Sequence, residues 1–179
     1  MHKDIKAILI SEEEIERRCQ ELGRQITEEY KAKNQAPILV AMLKGAVPFL
    51  TKLAKYIELD IELDFMAVSS YEGTESIGDV RILKDLDRSI KGENILLVED
   101  IVDTGRTLST VSDMLSNKGA DSVKIVSLLD KPTRRIIPIH VDYIGFEVPN
   151  EFVVGFGLDF NEKYRNLPYV GILKDECYL

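Results

Sequence analysis

The side chains that most often bind transition metals or act as nucleophiles are scarce in this sequence. It contains two cysteines, Cys19 and Cys177, and two histidines, His2 and His140. The cysteines lack the spacing of a zinc site, and neither histidine lies in a recognisable zinc or hydrolase motif. We therefore interpret both cysteines as unpaired thiols, and we expect neither a histidine–metal centre nor a Ser–His mechanism.

Long apolar stretches are also missing. No segment approaches the roughly 18 consecutive apolar residues that a transmembrane helix requires. The first apolar run, IKAILI at residues 5–10, is too short for the core of a signal peptide and contains Lys6. We expect a cytoplasmic protein that does not contact the membrane.

Positive charge is in deficit, because 31 acidic side chains outnumber 23 basic ones and give a net charge of −8. No basic cluster is long enough to line a nucleic-acid groove, and we therefore expect no nucleic-acid partner. A phosphorylated small molecule is still compatible with this charge, because local backbone amides and a bound metal can outweigh the net charge of the chain.

Apolar runs alternate with helical patterns along the whole chain. The first helix is predicted from Ser11 to about Lys33, because Ser11 and Glu14 can form a capping box and apolar residues recur every three or four positions. Other helices are expected after Gly45 and around Leu108. The predicted strands cover residues 38–43, 60–68, 80–83, 95–98, 123–129, 143–148 and 152–158. This alternation predicts one α/β domain over residues 1–179, with a mostly parallel, roughly five-stranded sheet flanked by helices.

The segment VEDIVDTGRTL, at residues 98–108, begins at the end of the continuously apolar strand at 95–98. Glu99 and Asp100 are predicted to close that strand, and residues 103–107 to form a turn that opens a helix. Ligands of open parallel sheets bind beyond the carboxyl ends of the strands, where this segment is expected. Acidic strand ends and helix caps are each common structural features, so the argument depends on the contiguous pattern.

The chemistry of this turn suits a sugar phosphate. Gly105 allows close approach of the backbone to a ligand, and Thr104 and Thr107 add hydroxyls. The amides of the turn lie at a helix N-terminus, where the helix dipole favours a phosphate. The competing phosphate motif, a P-loop, requires a Gly-Lys-Ser/Thr end that the sequence lacks.

The eleven-residue segment is very similar to the phosphoribosyl pyrophosphate (PRPP) signature of the type I phosphoribosyltransferases. Four further pieces resemble the hypoxanthine-guanine phosphoribosyltransferase family in the same order: LKGA at 43–46, SSYEGTESIG at 69–78, LLDKPTRR at 128–135 and the run 152–165. The resemblance implies transfer of the 5-phosphoribosyl group of PRPP to hypoxanthine or guanine, with IMP or GMP and pyrophosphate as products. It also implies a small hood, formed by terminal segments and a mobile loop, and a homodimer or homotetramer.

The same resemblance implies roles for individual residues. Lys131 would donate a hydrogen bond to the exocyclic oxygen at purine position 6, Phe152 would stack on the purine, and the backbone of Val153 would contact the base edge. Mg²⁺ would be bound near Glu99, Asp100 and Asp159. PRPP and its pyrophosphate would be held by Lys44, Gly45, Glu99, Asp100, Asp103, Thr104, Gly105, Arg106, Thr107, Arg135 and Arg165.

The implied mechanism is displacement at the anomeric carbon through an oxocarbenium-like state, without a protein nucleophile. Asp103 would act as general base for the purine N7 proton. The polar segment 69–78, with Ser69, Ser70 and Tyr71 at its start, would be a lid that excludes water. The family also often has a cis peptide bond at the position of Leu43–Lys44, and we predict one here.

Two alternatives are compatible with the sequence. Xanthine differs from guanine only at position 2, which backbone groups would contact, so that a xanthine-preferring enzyme is one alternative. A non-catalytic regulator that senses PRPP is the other, since some proteins with this signature bind nucleic acids. Gly155 and Gly157 form a lone G-x-G, and we interpret them as strand glycines.

Overall fold

The computed structural model describes residues 1–70 and 80–178. Within these ranges, no helix combines the length and the apolar character needed to cross a bilayer. The strands are β1 (Ile5–Ile10), β2 (Ile38–Met42), β3 (Glu62–Ser70), β4 (Val80–Lys84), β5 (Asn94–Val102), β6 (Ser122–Asp130), β7 (Tyr143–Glu147), β8 (Val153–Val154) and β9 (Val170–Leu173). The α-helices are α1 (Glu12–Ala32), α2 (Val47–Ala54) and α3 (Arg106–Asn117), and two short 3₁₀ helices cover Pro132–Arg134 and Asp175–Cys177.

The main sheet has six strands in the order β4-β3-β2-β5-β6-β7. Five neighbouring strands are parallel, in the order β3-β2-β5-β6-β7. Strand β4 is antiparallel to β3 at the edge of the sheet. The predicted mostly parallel sheet of roughly five strands is thus confirmed, with β4 as one additional antiparallel strand.

Helices cover both faces of this sheet, and β2 shows why the sequence requires this. Leu39 and Ala41 belong to one hydrophobic cluster with residues of α1 and α2. Val40 and Met42 belong to a second cluster with residues of α3. Because successive side chains of a strand point to opposite faces, a continuously apolar strand has to be buried on both sides.

Helix α1 begins as its sequence predicts. The Ser11 hydroxyl accepts a hydrogen bond from the Glu14 amide at 3.2 Å, and the Glu14 carboxylate accepts one from the Ser11 amide at 2.8 Å. Its apolar face, from Ile15 to Tyr30, is buried against the sheet. The predicted capping box and helix are both confirmed.

Strand β5 is longer than predicted. Its pairing with β6 continues from Glu99, opposite Ser127, to Val102, opposite Asp130. Its pairing with β2 stops earlier, at Ala41 opposite Val98. Glu99 and Asp100 therefore do not end the strand, as the sequence suggested. They lie where β5 has lost its neighbour on one side, and this leaves that edge open to a ligand.

Two other boundaries differ from the prediction. Ser69 and Ser70 are the last residues of β3, because they pair with Arg81 and Val80 of β4, so that the polar loop does not begin at Ser69. The predicted strand at 152–158 is reduced to β8, since Gly155 and Gly157 have φ values of +100° and +102°. These glycines belong to a turn, where such angles favour glycine, and not to a strand.

Strands β1 and β9, near the two ends of the chain, form a second antiparallel sheet with β8, in the order β1-β9-β8. Buried Ile5, Val154 and Leu173 form its own small core. This sheet is the part of the expected hood that terminal segments contribute. The mobile-loop part, including Tyr71, lies outside the described residues.

Candidate active site

The phosphate turn is built by the sharp passage from β5 to α3. Gly105 is the N-cap of α3 with φ +82°, and a Cβ atom there would lie 2.6 Å from the carbonyl oxygen of Ile137. The first hydrogen bond of the helix runs from the Ser109 amide to the Gly105 carbonyl at 2.9 Å. The amides before Ser109 therefore have no acceptor within the helix, which is the arrangement that binds anions.

A cavity of about 130 Å³ lies against this turn. Its walls are formed by one stretch of the chain that contains all the residues of the predicted phosphate motif from Asp103 to Thr107: Glu99, Ile101, Val102, Asp103, Thr104, Gly105, Arg106, Thr107 and Leu108. The structure thus brings the predicted phosphate residues around one space.

Asp100 lies directly over Gly45, at the start of the turn that leads from β2 to α2. A Cβ atom at position 45 would collide with the Asp100 carboxylate, so that any residue larger than glycine would displace it. The peptide bond Leu43–Lys44 just before Gly45 is cis, as predicted. Two segments far apart in the sequence, both predicted to bind PRPP, are therefore in contact.

The carboxyl groups of Glu99 and Asp100 have raised pKa values. Burial raises the pKa of Glu99 well above its ordinary range, and the negative charge of Asp100 raises it further. Burial is also the main cause of the raised pKa of Asp100, whereas Arg165 acts in the opposite direction. Partly buried carboxyl groups with raised pKa values are expected where a cation or several hydroxyl donors will neutralise the charge.

Asp103 lines two cavities at once, the 130 Å³ cavity of the phosphate turn and a larger one of about 370 Å³. The Nε atom of Arg134 lies 2.9 Å from Oδ1 of Asp103. The geometry is not that of a hydrogen bond, because the same oxygen is buried without a hydrogen-bond partner among the described residues. A general base at this point would face both a ribose and a purine.

The larger cavity contains the residues predicted to bind the purine. It is lined by Ile101, Asp103, Lys131, Arg134, Asn150, Glu151, Phe152, Val153, Leu158, Asp159 and Tyr178. Its volume lies within the range of roughly 300–1,000 Å³ that is typical of small-molecule sites.

Lys131 is held at the end of β6 with its ammonium group inside the protein. Its amide donates to the Val102 carbonyl at 2.9 Å, and its Nζ atom donates to the Glu151 carbonyl at 2.7 Å. The side chain is buried, with 7% of the residue exposed, and burial lowers the pKa of its ammonium group. A lysine of this kind is fixed in direction and has further N–H donors for a ligand.

Phe152 and Val153 form the opposite part of the cavity wall. Phe152 precedes β8 and is 36% exposed, which is unusual for an aromatic side chain with two aromatic neighbours. Its ring packs edge-on against Phe160, with 5.5 Å between centroids. Val153 lines the same cavity and is itself buried.

A group of charged residues lies beside Gly45. Arg165 is 2.9 Å from Oδ1 of Asp159, and its NH1 atom donates to the Gly157 carbonyl at 2.8 Å. Gly157 itself is packed against the Gly45 carbonyl so closely that a Cβ atom would not fit. The predicted pyrophosphate residues Lys44, Gly45 and Arg165 are thus brought together.

Glu162 is a member of this group that the sequence did not identify. Its carboxylate lies 2.9 Å from Nζ of Lys44 and 3.2 Å from NH2 of Arg165, and its amide donates to Oδ2 of Asp159 at 2.9 Å. The only signal in the sequence is a spacing of three residues from Arg165, which is common on any surface. Its position became recognisable only when the fold brought Lys44 close.

Arg135 contacts residues at and behind the phosphate turn. Its guanidinium group pairs with the Asp130 carboxylate, and its Nε atom donates to the Asp103 carbonyl at 3.1 Å. Its Cδ atom also lies close to Gly105. These contacts support the phosphate turn from behind, and a role in binding pyrophosphate stays a prediction.

Few polar side-chain atoms of the described residues are buried without a hydrogen bond. They are the hydroxyl of Tyr30, Oδ1 of Asp103 and Nε of Arg165. Two of the three belong to residues that were predicted to act on the substrates. Buried polar atoms are costly to leave unpaired, and for Asp103 the Arg134 guanidinium 2.9 Å away offsets part of this cost.

Comparison with known proteins identifies the family. The model of the phosphoribosyl transferase domain matches residues 7–161. The hypoxanthine-guanine phosphoribosyltransferases of Streptococcus thermophilus and Streptococcus pyogenes are 56% and 51% identical to the chain, in each case over 99% of this chain and 98% of the relative. A crystal structure of a hypoxanthine phosphoribosyltransferase from Staphylococcus aureus superposes with a TM-score of 0.95 at 47% identity, over 100% of this chain and 97% of that one. The chain therefore belongs to the phosphoribosyltransferases, and within them to the hypoxanthine-guanine phosphoribosyltransferase family.

Proposed function

We propose that this protein is a purine salvage enzyme that transfers the 5-phosphoribosyl group of PRPP to N9 of hypoxanthine or guanine. The products are IMP or GMP and pyrophosphate. One observation carries the proposal: the 130 Å³ cavity at the phosphate turn, called the phosphate cavity from here on, and the larger cavity meet at Asp103. A ribose 5-phosphate in the first and a purine in the second would place the reacting atoms beside this carboxylate.

The proposed base preference depends on Lys131. An ammonium group has only donors, so it suits the carbonyl oxygen at position 6 of hypoxanthine and guanine and not the amino group of adenine. Its direction is fixed by the hydrogen bond to the Glu151 carbonyl. Phe152 presents a partly exposed ring to the same space, where a purine can stack.

In the proposed reaction, the bond from the anomeric carbon to pyrophosphate breaks and pyrophosphate leaves with the electron pair. N9 of the purine forms the new bond, and the N7 proton passes to the Asp103 carboxylate. The protein contributes mainly by holding the two substrates in register and by excluding water. Lys44 and Arg165 stabilise the negative charge of the leaving pyrophosphate, and the amides of the phosphate turn hold the 5′-phosphate.

Magnesium is part of the proposal. Among the described residues, no three histidine, cysteine or acidic side chains converge as a complete metal site. This fits Mg²⁺, which is usually bound by one or two carboxylates together with substrate phosphates and water. Glu99 and Asp100, whose pKa values are raised mainly by burial, would hold it together with Asp159. When bound, the ion would neutralise the charge of the pyrophosphate.

The test is a spectrophotometric assay with PRPP and each of hypoxanthine, guanine, xanthine and adenine, with Mg²⁺ or with excess chelator. We expect turnover of hypoxanthine and guanine in the presence of Mg²⁺ only. Faster turnover of xanthine than of hypoxanthine and guanine would mean that xanthine is the preferred substrate. Binding of PRPP without turnover of any base would favour a non-catalytic regulator. Undiminished turnover in chelator would exclude the role of the metal.

A variant of Lys131 tests the base assignment separately. Lys131→Met removes the donor, and hydrogen bonds to charged groups are worth about 1.5–3 kcal/mol, so that the KM for guanine should rise roughly 10- to 150-fold while the KM for PRPP changes little. Lys52→Met is the control, because Lys52 of α2 forms an ion pair with Glu16 of α1 and lines neither cavity. An unchanged KM for guanine in the Lys131 variant would contradict the assignment.

We also propose that the enzyme is cytoplasmic and that it assembles as a homodimer or homotetramer, as the family resemblance implies. Sedimentation equilibrium at several protein concentrations measures the state of association. A concentration-independent monomer would contradict this part.

A further inference from the structure

The ring of Tyr178, near the C-terminus, lies against the ring of Phe152. The centroids are 4.7 Å apart and the planes differ by 22°, so the two rings are stacked. Tyr178 also lines the larger cavity together with Lys131 and Val153. No feature of the sequence pointed to Tyr178, and the roles proposed above do not use it.

The position of Tyr178 is fixed by the hood. Strand β9 is joined to the backbone of Phe152 by a hydrogen bond from the Leu173 amide to the Phe152 carbonyl at 2.8 Å. The short helix at Asp175–Cys177 then turns the chain back, with the Lys174 amide bonded to the Asp4 carbonyl at 3.0 Å. The Tyr178 hydroxyl also donates to Oδ1 of Asp175 at 2.8 Å, a local contact three residues back in the chain.

The cavity stays open with Tyr178 in this position, at about 370 Å³. Tyr178 is therefore a part of the wall and does not fill the space. Phe152 has Tyr178 stacked on it and Phe160 packed edge-on, yet 36% of it is still exposed. Two aromatic contacts thus restrain the Phe152 ring while part of its surface is left for a ligand.

We infer that Tyr178 is a positioning residue for purine binding: it holds the Phe152 ring in the orientation in which a purine base can stack on it. This inference rests on the proposed function. It makes the C-terminal segment a part of the base site, although Tyr178 lies 26 positions after Phe152 in the chain. Its effect should be confined to the purine, because Tyr178 is absent from the wall of the phosphate cavity.

The experiment compares initial rates of Tyr178→Ala, Tyr178→Leu and Tyr178→Phe with those of the wild type. Stacked aromatic pairs contribute enough beyond area burial that Tyr178→Ala should raise the KM for guanine about three- to tenfold, with the KM for PRPP within about twofold. Tyr178→Leu keeps apolar bulk without a ring and should behave like the alanine variant. Tyr178→Phe keeps the ring, loses only the hydrogen bond to Asp175, and should stay within about twofold of the wild type.

Tyr169→Ala is the matched control, because Tyr169 belongs to the same hood but not to the wall of the larger cavity. It should leave the KM for guanine unchanged. Three outcomes for Tyr178→Ala would overturn the inference: an unchanged KM for guanine, a lowered one, which would mean that the ring obstructs the base, or an equal rise for guanine and PRPP. A wild type without purine turnover would instead contradict the proposed function itself.

Discussion

The two cavities at the edge of the main sheet are built in different ways. The phosphate cavity is lined by nine residues that all lie in one stretch of the chain, from Glu99 to Leu108. The larger cavity is assembled from the end of β5, the segment after β6, the residues around β8 and the C-terminal Tyr178. The first lies at a single strand-to-helix turn, and the second is lined by residues that separate elements bring together.

This difference has a physical basis. A phosphate can be bound by amides of consecutive residues at a helix N-terminus, so that a short segment with the right turn is sufficient. A flat apolar base needs surfaces on several sides and a few fixed donors, and no single strand or helix can provide them. We therefore expect changes in the first region to act on PRPP and changes in the second to act on the purine, with Asp103 shared by both.

The largest effect is expected at this shared residue. Asp103→Asn keeps the size of the side chain but removes the base, and loss of a general base typically costs 10²–10⁴ in rate. We expect kcat to fall by that factor while PRPP binding, measured by titration calorimetry, changes by less than about threefold. Asp113→Asn, on the exposed face of α3, is the control. Nearly full turnover of Asp103→Asn across the pH range would show that it is not the base.

An intermediate effect is expected at Gly105. Alanine there would have to adopt φ +82° and would place its Cβ atom 2.6 Å from the Ile137 carbonyl oxygen, so that the phosphate turn has to deform. A left-handed conformation alone costs about 1–2 kcal/mol for an L-residue. We expect the KM for PRPP to rise about tenfold or more, with the KM for guanine much less affected.

Gly92 offers a matched control for this change. It has φ +78°, but a Cβ atom there would have no neighbour within 4 Å. Gly92→Ala therefore has the same backbone cost without the collision, and it should lower the melting temperature slightly without changing either KM. Equal effects of the two substitutions on PRPP would mean that the phosphate turn does not depend on close approach at Gly105.

The smallest effect is expected on stability, and it comes from Glu99 and Asp100. Their pKa values are raised in the folded protein, mainly by burial, so the folded state binds these protons more tightly than the unfolded state does. Their negative charge therefore lowers the free energy of unfolding at pH values above the raised pKa values. This loss of stability is relieved as the pH falls toward the ordinary pKa range of these carboxyl groups.

The double substitution Glu99→Gln with Asp100→Asn removes this cost at neutral pH. We expect the melting temperature of the ligand-free protein to rise by a few degrees, since each kcal/mol corresponds to about 2–4 °C in a chain of this size, while PRPP binding weakens. Differential scanning calorimetry at pH 5 and pH 8 should show that the gain is larger at pH 8. A lower melting temperature at both pH values would mean that the pair stabilises the fold.

Local sequence patterns predicted the elements that depend on neighbouring residues. The capping box of α1 and the buried parallel strands were confirmed, because each follows from residue types a few positions apart. Strand ends were predicted less well. The length of β5 depends on where β2 stops pairing and β6 continues. The end of β3 at Ser70 depends on its pairing with β4. Such partners are not visible within one segment.

By itself, the sequence determined the phosphate turn, since glycine at position 105 and the surrounding hydroxyls and carboxylates specify both the backbone path and its chemistry. Only the tertiary structure decided which residues complete the rest of the site. The contact of Glu162 with Lys44 spans 118 positions, and the stacking of Tyr178 on Phe152 depends on the pairing of β8 with β9. The reason is that a turn is stabilised by atoms of adjacent residues, whereas a wall made of side chains exists only after distant strands have paired.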